Sequence, residues 1–596
     1  LLVIAATVLI LFVAAGSWLA HRAHQVRSNL ESSMALLPEL QAAVNSRDAS
    51  GASATTAQIQ EYTAAARTAG ADPLWKAAAL VPFVGQNFSA VTEVTVSADD
   101  VISRAVTPIV DSFATLDWDS LSPTDGRIDT APLADVSPTL SAAANTVNLS
   151  FGRLEGIDRS ELLPQIAGPL KKAVDALDEV RGPITSASRA SELLPSMLGA
   201  DGPRNYLVLV QNSAEVRATG GISGALAVLT VEDGRISLTD QGSASEMGRF
   251  TPPLPMDPEQ ERIYSYRMGT FMQSVNLTPD FPSAASTAQQ MWEQRNPGSI
   301  INGVIALDPV VLANILSATG PVELGAIGDP AVDALLANTQ LPTALDSTNV
   351  VPTLLSDVYA QIEEPAVQDA YFAAVAAKVF GALTNIQGDG TQLVDALVTS
   401  GEQGRLHLWS ASTDEQDLLA QTDLAGAALG PAVGGAAFGV YFNDGTGAKM
   451  DYYVRRTVQL VKSCPGDGYS LYTVRVTLTN TAPADAATSL PEYVTGAGAF
   501  GVDPGRVKTN TVSYGPAQSR LQQARLDGAE APIGSFAHGN RPVGILTTEL
   551  GPGETVTLEM DFSKVVQETE PVVDITPTVQ DPSDVLLPAQ GLQSCS

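Results

Sequence analysis

The sequence predicts a multidomain α+β protein. It has an N-terminal transmembrane helix and helical stalk or bundle, a central α/β domain, and a C-terminal immunoglobulin-like β-sandwich. Three observations carry that prediction. The chain opens on an uncharged apolar run, LLVIAATVLILFVAAGSWLA. From about residue 203 strand-like and helix-like patterns alternate, and after about residue 436 only alternating strands separated by Gly, Pro and Asp turns remain. With 596 residues there is length for three or four domains, each with its own core. The divisions fall at 1–20, 21–200, 201–435 and 436–596.

Apolar residues make up 44% of the chain and charged residues 16%, a globular composition. Acidic residues outnumber basic ones 65 to 33, for a net charge of −32. Such a surface repels nucleic acid and anionic lipid, and no Lys/Arg stripe reverses that locally, so nucleic acid is not an expected partner.

In the first element, residues 1–20 span about 30 Å as a helix, the thickness of a bilayer's hydrocarbon core. A cleavable signal peptide is the rival reading. The length of the run and Trp18 at its end favour an anchor. The expectation is a single-pass plasma-membrane protein with its bulk outside the cytoplasm, although His21, Arg22, His24 and Arg27 taken alone argue for the reverse orientation.

Residues 25–200 read as helical. Phe88, Val91, Thr95, Ala98, Ile102, Ala105 and Ile109 recur at alternating spacings of three and four, one apolar seam. Pro38, Pro82, Pro108 and Pro164 punctuate the helices, and 116–137 is a polar connector. The central domain opens with strands at Tyr206–Val210, Ala225–Val231 and Ile236–Thr239. A helix over 280–295, a buried strand over 301–308 and a helix from Pro309 follow. Further helices fall at 352–362, 366–384 and 413–429, with a strand over 404–410. The last domain carries five or more strands in about 130 residues, bracketed by the two cysteines, Cys464 and Cys595. A disulfide between them is expected ahead of two unrelated thiols.

The chemistry to look for is limited. Only His407 and His538 lie beyond the anchor region, and His407 sits between leucines as a packed side chain would. No Ser-His-Asp triad, His-based zinc site, phosphate-binding loop or dinucleotide fingerprint is supported. What remains is carboxylate and arginine chemistry: Arg204, Glu215, Arg217, Arg267, Asp280 and Asp308, with the glycine pair Gly220–Gly221. Two readings stay open. Glu215 and Arg217 pair with Asp280 or Asp308 and lock the sheet to its loops, or they form an anion-binding loop at a strand end. Asp444, Lys449 and Asp451 surround a Gly-rich turn, read as a hairpin with a local ion pair or, more weakly, as a calcium site.

The runs RNYLVLVQNSAEVRATGGISGALAVLTVEDGRI, NLTPDFPSAASTAQQMWEQ, INGVIALDPVVLANILSATGPVEL and GVYFNDGTGAKMDYY resemble the domain-of-unknown-function 4012 family of bacterial envelope proteins. That resemblance implies an actinobacterial single-pass membrane protein associated with surface polysaccharide, of unestablished activity. Its partners would be envelope glycan, lipid-linked glycan or envelope proteins. The Arg–Gly turn followed by INGVIALDPVVLANILSATGPV is similar to the LytR-CpsA-Psr phosphotransferases. That likeness implies an alternative, a transferase acting on polyprenyl-pyrophosphate-linked glycans. Arg217 would then face the pyrophosphate, with Asp280 or Asp308 near a magnesium ion. Where that family's motif supplies an Arg and an Asp, this chain reads LTDQGSASEM and offers only Asp240. The preferred reading is a binding or scaffold component; a structural subunit of a surface assembly is a third.

Overall fold

The computed structural model describes residues 2–46, 48–115, 126–325, 330, 333–334, 337–383, 390–428, 436–464, 468–567 and 570–591. The chain divides into two compact units: residues 1–121 with 129–201, and residues 122–128 with 202–596.

The first unit is helical, with α1 (Leu2–Ala35), α2 (Leu37–Asn45), α3 (Ala49–Gly70), α4 (Pro73–Ala79), α5 (Gly85–Val101), α6 (Thr107–Thr115), α7 (Ala131–Glu155) and α8 (Pro164–Met197). Local chemistry sets the starts. Asp48 accepts the Gly51 N–H, Asp72 accepts the Leu74 N–H ahead of Pro73, and α8 opens on Pro164. The apolar seam runs through α5 into α6 across a wide turn, Ile102–Val106, where the Thr107 hydroxyl donates to Ile102 O at 2.9 Å. Pro108 has no N–H to give the preceding turn, and the widened turn absorbs the loss. The connector is shorter than the expected 116–137: residues 116–125 lie outside the described residues, and α7 begins at Ala131.

Among the described residues no helix is long and apolar enough to cross a membrane. The expected transmembrane segment 1–20 falls in α1, and the side chains of residues 1–6, 8, 9 and 12 lie outside the described residues.

The described residues of the second unit form four sheets. The first is built from β1 (Arg204–Arg217), β2 (Gly220–Glu232), β3 (Arg235–Ser243), β4 (Gly303–Leu307) and, later in the chain, β7 (Leu406–Ser410). Its order is β3-β2-β1-β4-β7, and only β1 and β4 run parallel. This corrects the expected α/β arrangement. β1, β2 and β3 form an antiparallel meander and β7 pairs antiparallel to β4, so a single crossover carries the parallel relation. The helix Phe281–Arg295 within that crossover packs Ala284, Ala288 and Met291 against Leu207, Leu209 and Val304. A two-stranded sheet, β5 (Val322–Glu323) with β6 (Ala344–Leu345), caps a helical cluster that includes Pro365–Leu383.

The remaining strands are β8 (Ala437–Asp444), β9 (Val454–Ser463), β10 (Ser470–Asn480), β11 (Val507–Tyr514), β12 (Arg520–Leu526), β13 (Ala529–Ala531), β14 (Gly534–His538), β15 (Arg541–Leu550), β16 (Thr555–Val565) and β17 (Val572–Ile575). They form two five-stranded sheets, β13-β12-β16-β10-β9 and β14-β15-β11-β8-β17. Alternate residues point inward, and Phe438, Val440, Phe442, Val458, Val474, Leu546, Leu558 and Phe562 share one core. The sandwich expected from the strand spacing is present. It departs from the A-B-E-D and C-F-G sheets of immunoglobulin domains in having five strands in each sheet and β17 paired with β8 in parallel. Cys464 follows β9, and Cys595 lies outside the described residues.

Candidate functional site

The polar insert after Val210 is not a loop. β1 and β2 continue through it as a long hairpin, with Asn212 opposite Ile222, Val216 opposite Gly221 and Arg217 opposite Gly220. Residues 213–215 bulge out between those pairs. The tip enters the sandwich. Val216 N–H donates to Asp451 Oδ2 at 3.2 Å, Ala218 N–H donates to Asn443 Oδ1 at 3.1 Å, and the Thr576 hydroxyl donates to Ala218 O at 2.9 Å. Val216 itself belongs to the sandwich core.

This placement answers the charge of the insert. Arg217 donates to Glu215 at 3.0 Å and to its neighbour's carbonyl, Val216 O, at 2.9 Å; Asp444 Oδ2 lies 3.9 Å from the guanidinium. Glu215 also receives Lys449 at 3.6 Å. Lys449 is buried between Tyr359 and Tyr493, 4.9 Å and 5.1 Å from their ring centres. Burial works to lower the Lys449 pKa, but Tyr359, Glu215 and Tyr493 outweigh it and hold the ammonium charged. Asp444 accepts the Thr446 and Gly447 N–H groups at 2.8 Å and 2.6 Å. Burial, reinforced by Asp451 and opposed by Arg217, pushes its carboxyl up to about 7. Asp451 pairs with Arg456, both fully buried. Asp444, Lys449 and Asp451 thus make no ion pair with one another. Their partners sit on the hairpin and on β9.

Above these charges lies a cleft of about 1130 Å³. Phe271, Tyr359, Tyr493 and Phe500 give it aromatic walls; Glu215, Arg217, Asp444 and Lys449 form its charged floor, and Arg267, Glu363 and Glu492 stand on the rim. Tyr493 and Phe500 are exposed. Arg217 leaves its buried Nε without an acceptor.

The other residues singled out in the sequence lie elsewhere. Arg204, at the start of β1, pairs with Glu415. Asp280 caps the helix Phe281–Arg295, accepting from Ser283 N at 3.3 Å and from Ala428 N at 3.3 Å. Asp308 caps the helix Pro309–Thr319 and pairs with Arg405 at 2.6 Å, both buried. The pairing of Glu215 and Arg217 with Asp280 or Asp308 is therefore not found. Gly220 adopts φ +136° over the Gln211 side chain, and Gly221 abuts the backbone of Asn212. His407 is buried against Phe281, and burial lowers its pKa to about 4. Among the described residues no cluster of three His, Cys, Asp or Glu side chains is placed to hold a metal ion.

Sequence reasoning missed the aromatic walls. Phe271, Tyr359 and the pair Tyr493 and Phe500 come from three separate segments that share no period. The only local signal is the Gly-rich run PEYVTGAGAFGVDPG (491–505), where two aromatics stand among residues unfit for a strand.

A mixed sheet, a hairpin plugged into a β-sandwich, and an aromatic cleft at their junction define an α+β protein. Residues 201–359 match the model of the family described as protein of unknown function (DUF4012). The match takes in β1, the hairpin and Tyr359. No curated protein matches the chain. A solved structure from Legionella pneumophila, carrying a nutrient-binding description, is 9% identical with a TM-score of 0.13. The match covers 22% of this chain and 42% of that one, less than half of its length. At that score the likeness bears on neither fold nor function.

Proposed function

We propose that the protein is a single-pass, membrane-anchored binding and scaffold component of the cell envelope, associated with surface polysaccharide, and that the cleft is its glycan-binding face. The observation that carries the reading is the chemistry of the cleft. Sugar rings offer C–H faces that lie on aromatic rings, and hydroxyls that need donors and acceptors together. Tyr493, beyond its contacts with Lys449 and Tyr359, and Phe500 keep exposed surface for a sugar ring, and Arg267, Glu363 and Glu492 supply both signs of partner around them. The charges beneath are spent on each other, which suits holding a ligand rather than transforming one.

Anchoring is supported by the apolar run at 1–20 and by Ile10, Leu11 and Val13, which stand exposed on α1. A disulfide between Cys464 and Cys595 is supported by the C-terminal segment. It runs parallel to β9, with Leu586 opposite Val458 and Gln590 opposite Val461, and so heads toward Cys464. Non-reducing peptide mapping should recover the two cysteines in one linked species; free thiols at both would refute the pairing.

The cleft is tested by affinity electrophoresis of the detergent-solubilised chain through gels carrying arabinogalactan, mannan or an α-glucan. Binding to at least one is expected. The double substitution Tyr493→Ala with Phe500→Ala should weaken it by about tenfold or more, since exposed aromatic anchors dominate such contacts. Unchanged mobility of both proteins in every gel would overturn the reading.

A further inference from the structure

Among the described residues of the first unit, an exposed apolar segment stands out in the five-residue link from α4 to α5, Leu80-Val81-Pro82-Phe83-Val84. Leu80 is 85% exposed and Phe83 93%, with Val81 at 50% and Val84 at 47%. Single exposed apolar residues are ordinary, but an uninterrupted projecting run marks a surface made for an apolar partner. The link is a built turn. Val81 N–H donates to Ala78 O at 3.1 Å and Gly85 N–H to Val81 O at 2.7 Å, and Phe83 is held at φ +67°. Gly85 lets the turn close, since a Cβ there would lie 2.2 Å from Ala79 O. Its polar backbone is thus partly satisfied from within, as a segment leaving water requires.

Helix packing fixes which way the link points. α1 and α3 run antiparallel. At one end Leu36 and Leu40 meet Ala52 and Ile59; at the other Asp72 accepts from Trp18 Nε1 and Arg22 Nε, each at 3.2 Å. α5 in turn runs antiparallel to α3: Arg67 pairs with Asp99 at 2.9 Å, and the Thr92 hydroxyl donates to Gly70 O at 3.1 Å. The first seven residues of α5, Gly85 to Val91, therefore overshoot the end of α3. At 1.5 Å per residue that is about 10 Å. The overshoot follows the direction in which α1 runs back from Trp18 through Val13 and Leu11.

We infer that Leu80–Val84 is a second membrane contact, a wedge inserted into the leaflet that the apolar run at 1–17 enters. The inference rests on the anchor reading of residues 1–20. A bilayer is the occupant because the link projects about 10 Å past the end of α3, in the direction in which that run leaves Trp18, at the depth to which interfacial apolar groups sink below the headgroups. Insertion stops at the link. The next side chains, Gln86 and Asn87, are engaged with Glu161 O and Leu163 N, and Asp158, Arg159 and Glu161 stay in the headgroup layer. Two contacts, helix and wedge, hold the first unit in one orientation on the surface, where a lone helix would leave it free to tilt.

The test uses the full chain in phosphatidylcholine vesicles, with an environment-sensitive fluorescent amino acid placed at Phe83, at Ile10, or at Tyr62 on α3. Lipids brominated on the acyl chain quench probes that reach the hydrocarbon. Quenching at 83 at least twofold above that at 62, together with quenching at 10, is the expected result. Quenching at 10 with none at 83 overturns the wedge and leaves the anchor standing. Quenching at neither 10 nor 83 overturns the anchor reading and the wedge with it.

Discussion

Replacing Arg456 by methionine is expected to weaken the sandwich and its grip on the hairpin by about 3–5 kcal/mol, because it leaves a carboxylate buried without its partner. Arg456 and Asp451 are both fully enclosed, and the guanidinium lies 5.1 Å from the Phe442 ring centre. Asp451 does two things at once: it answers Arg456, and it accepts the Val216 N–H at the hairpin tip. Burial already pushes the Asp451 carboxyl up against the pull of Arg456. Without the arginine it takes up a proton in the folded state. A group whose folded pKa is raised gives stability at low pH that is lost as pH rises through that pKa, so the deficit should be smaller at pH 5 than at pH 8. Hydrogen exchange resolved to peptides of β8, β9 and the hairpin reads this directly. Protection there should fall by about a hundredfold or more at pH 8. Adding Asp451→Asn should restore most of it, since an amide oxygen still accepts from Val216 and no charge is left stranded. A single variant with protection within about threefold of the parent would show that the pair does not hold the junction.

How much of this was legible in the sequence depends on where each residue's partner lies. The seam through α5, the helix starts after Asp280 and Asp308, the strand Gly303–Leu307 and the alternation of β10 all answer to neighbours a few positions away. Period and capping chemistry therefore expose them. The hairpin tip does not. Glu215 and Arg217 look like part of a solvent loop, yet they are buried, because Lys449 and Asp444 stand more than 200 positions away, as do Asp451 and Asn443, which accept from the Val216 and Ala218 N–H groups. The same blindness made those last residues look like a local turn with its own ion pair. Polarity marked both segments as unusual; nothing in either one says that they meet. The cleft was hidden for a related reason: its aromatic walls are solitary residues, with no period to betray a shared face.

The glycine pair is the one part of the hairpin whose identity the geometry dictates. Gly221 sits opposite Val216, where β1 bulges, and a Cβ at 221 would lie 2.1 Å from Asn212 C and 2.4 Å from Ser213 N. Both are backbone atoms, so no side chain can swing aside to relieve the clash. Gly221 O also accepts from the buried Asn276 Nδ2 at 2.7 Å, which ties the hairpin to the crossover. Substituting alanine must push the bulge outward, carrying Glu215, Val216 and Arg217 with it. The expected loss is about 3 kcal/mol or more, at the upper end for an overpacked site. Gly224, on the same strand, is the control: nothing lies within 4 Å of a Cβ there, so alanine at 224 should stay within about 0.5 kcal/mol of the parent. The readout is amide exchange across 211–223. Gly221→Ala should unprotect that stretch selectively and also weaken polysaccharide binding, because Glu215 and Arg217 form the floor on which Lys449 and the tyrosines rest. If both glycines tolerate alanine equally, the two strands are not in the close contact that brings the tip into the sandwich, and the cleft loses its floor as an argument for binding.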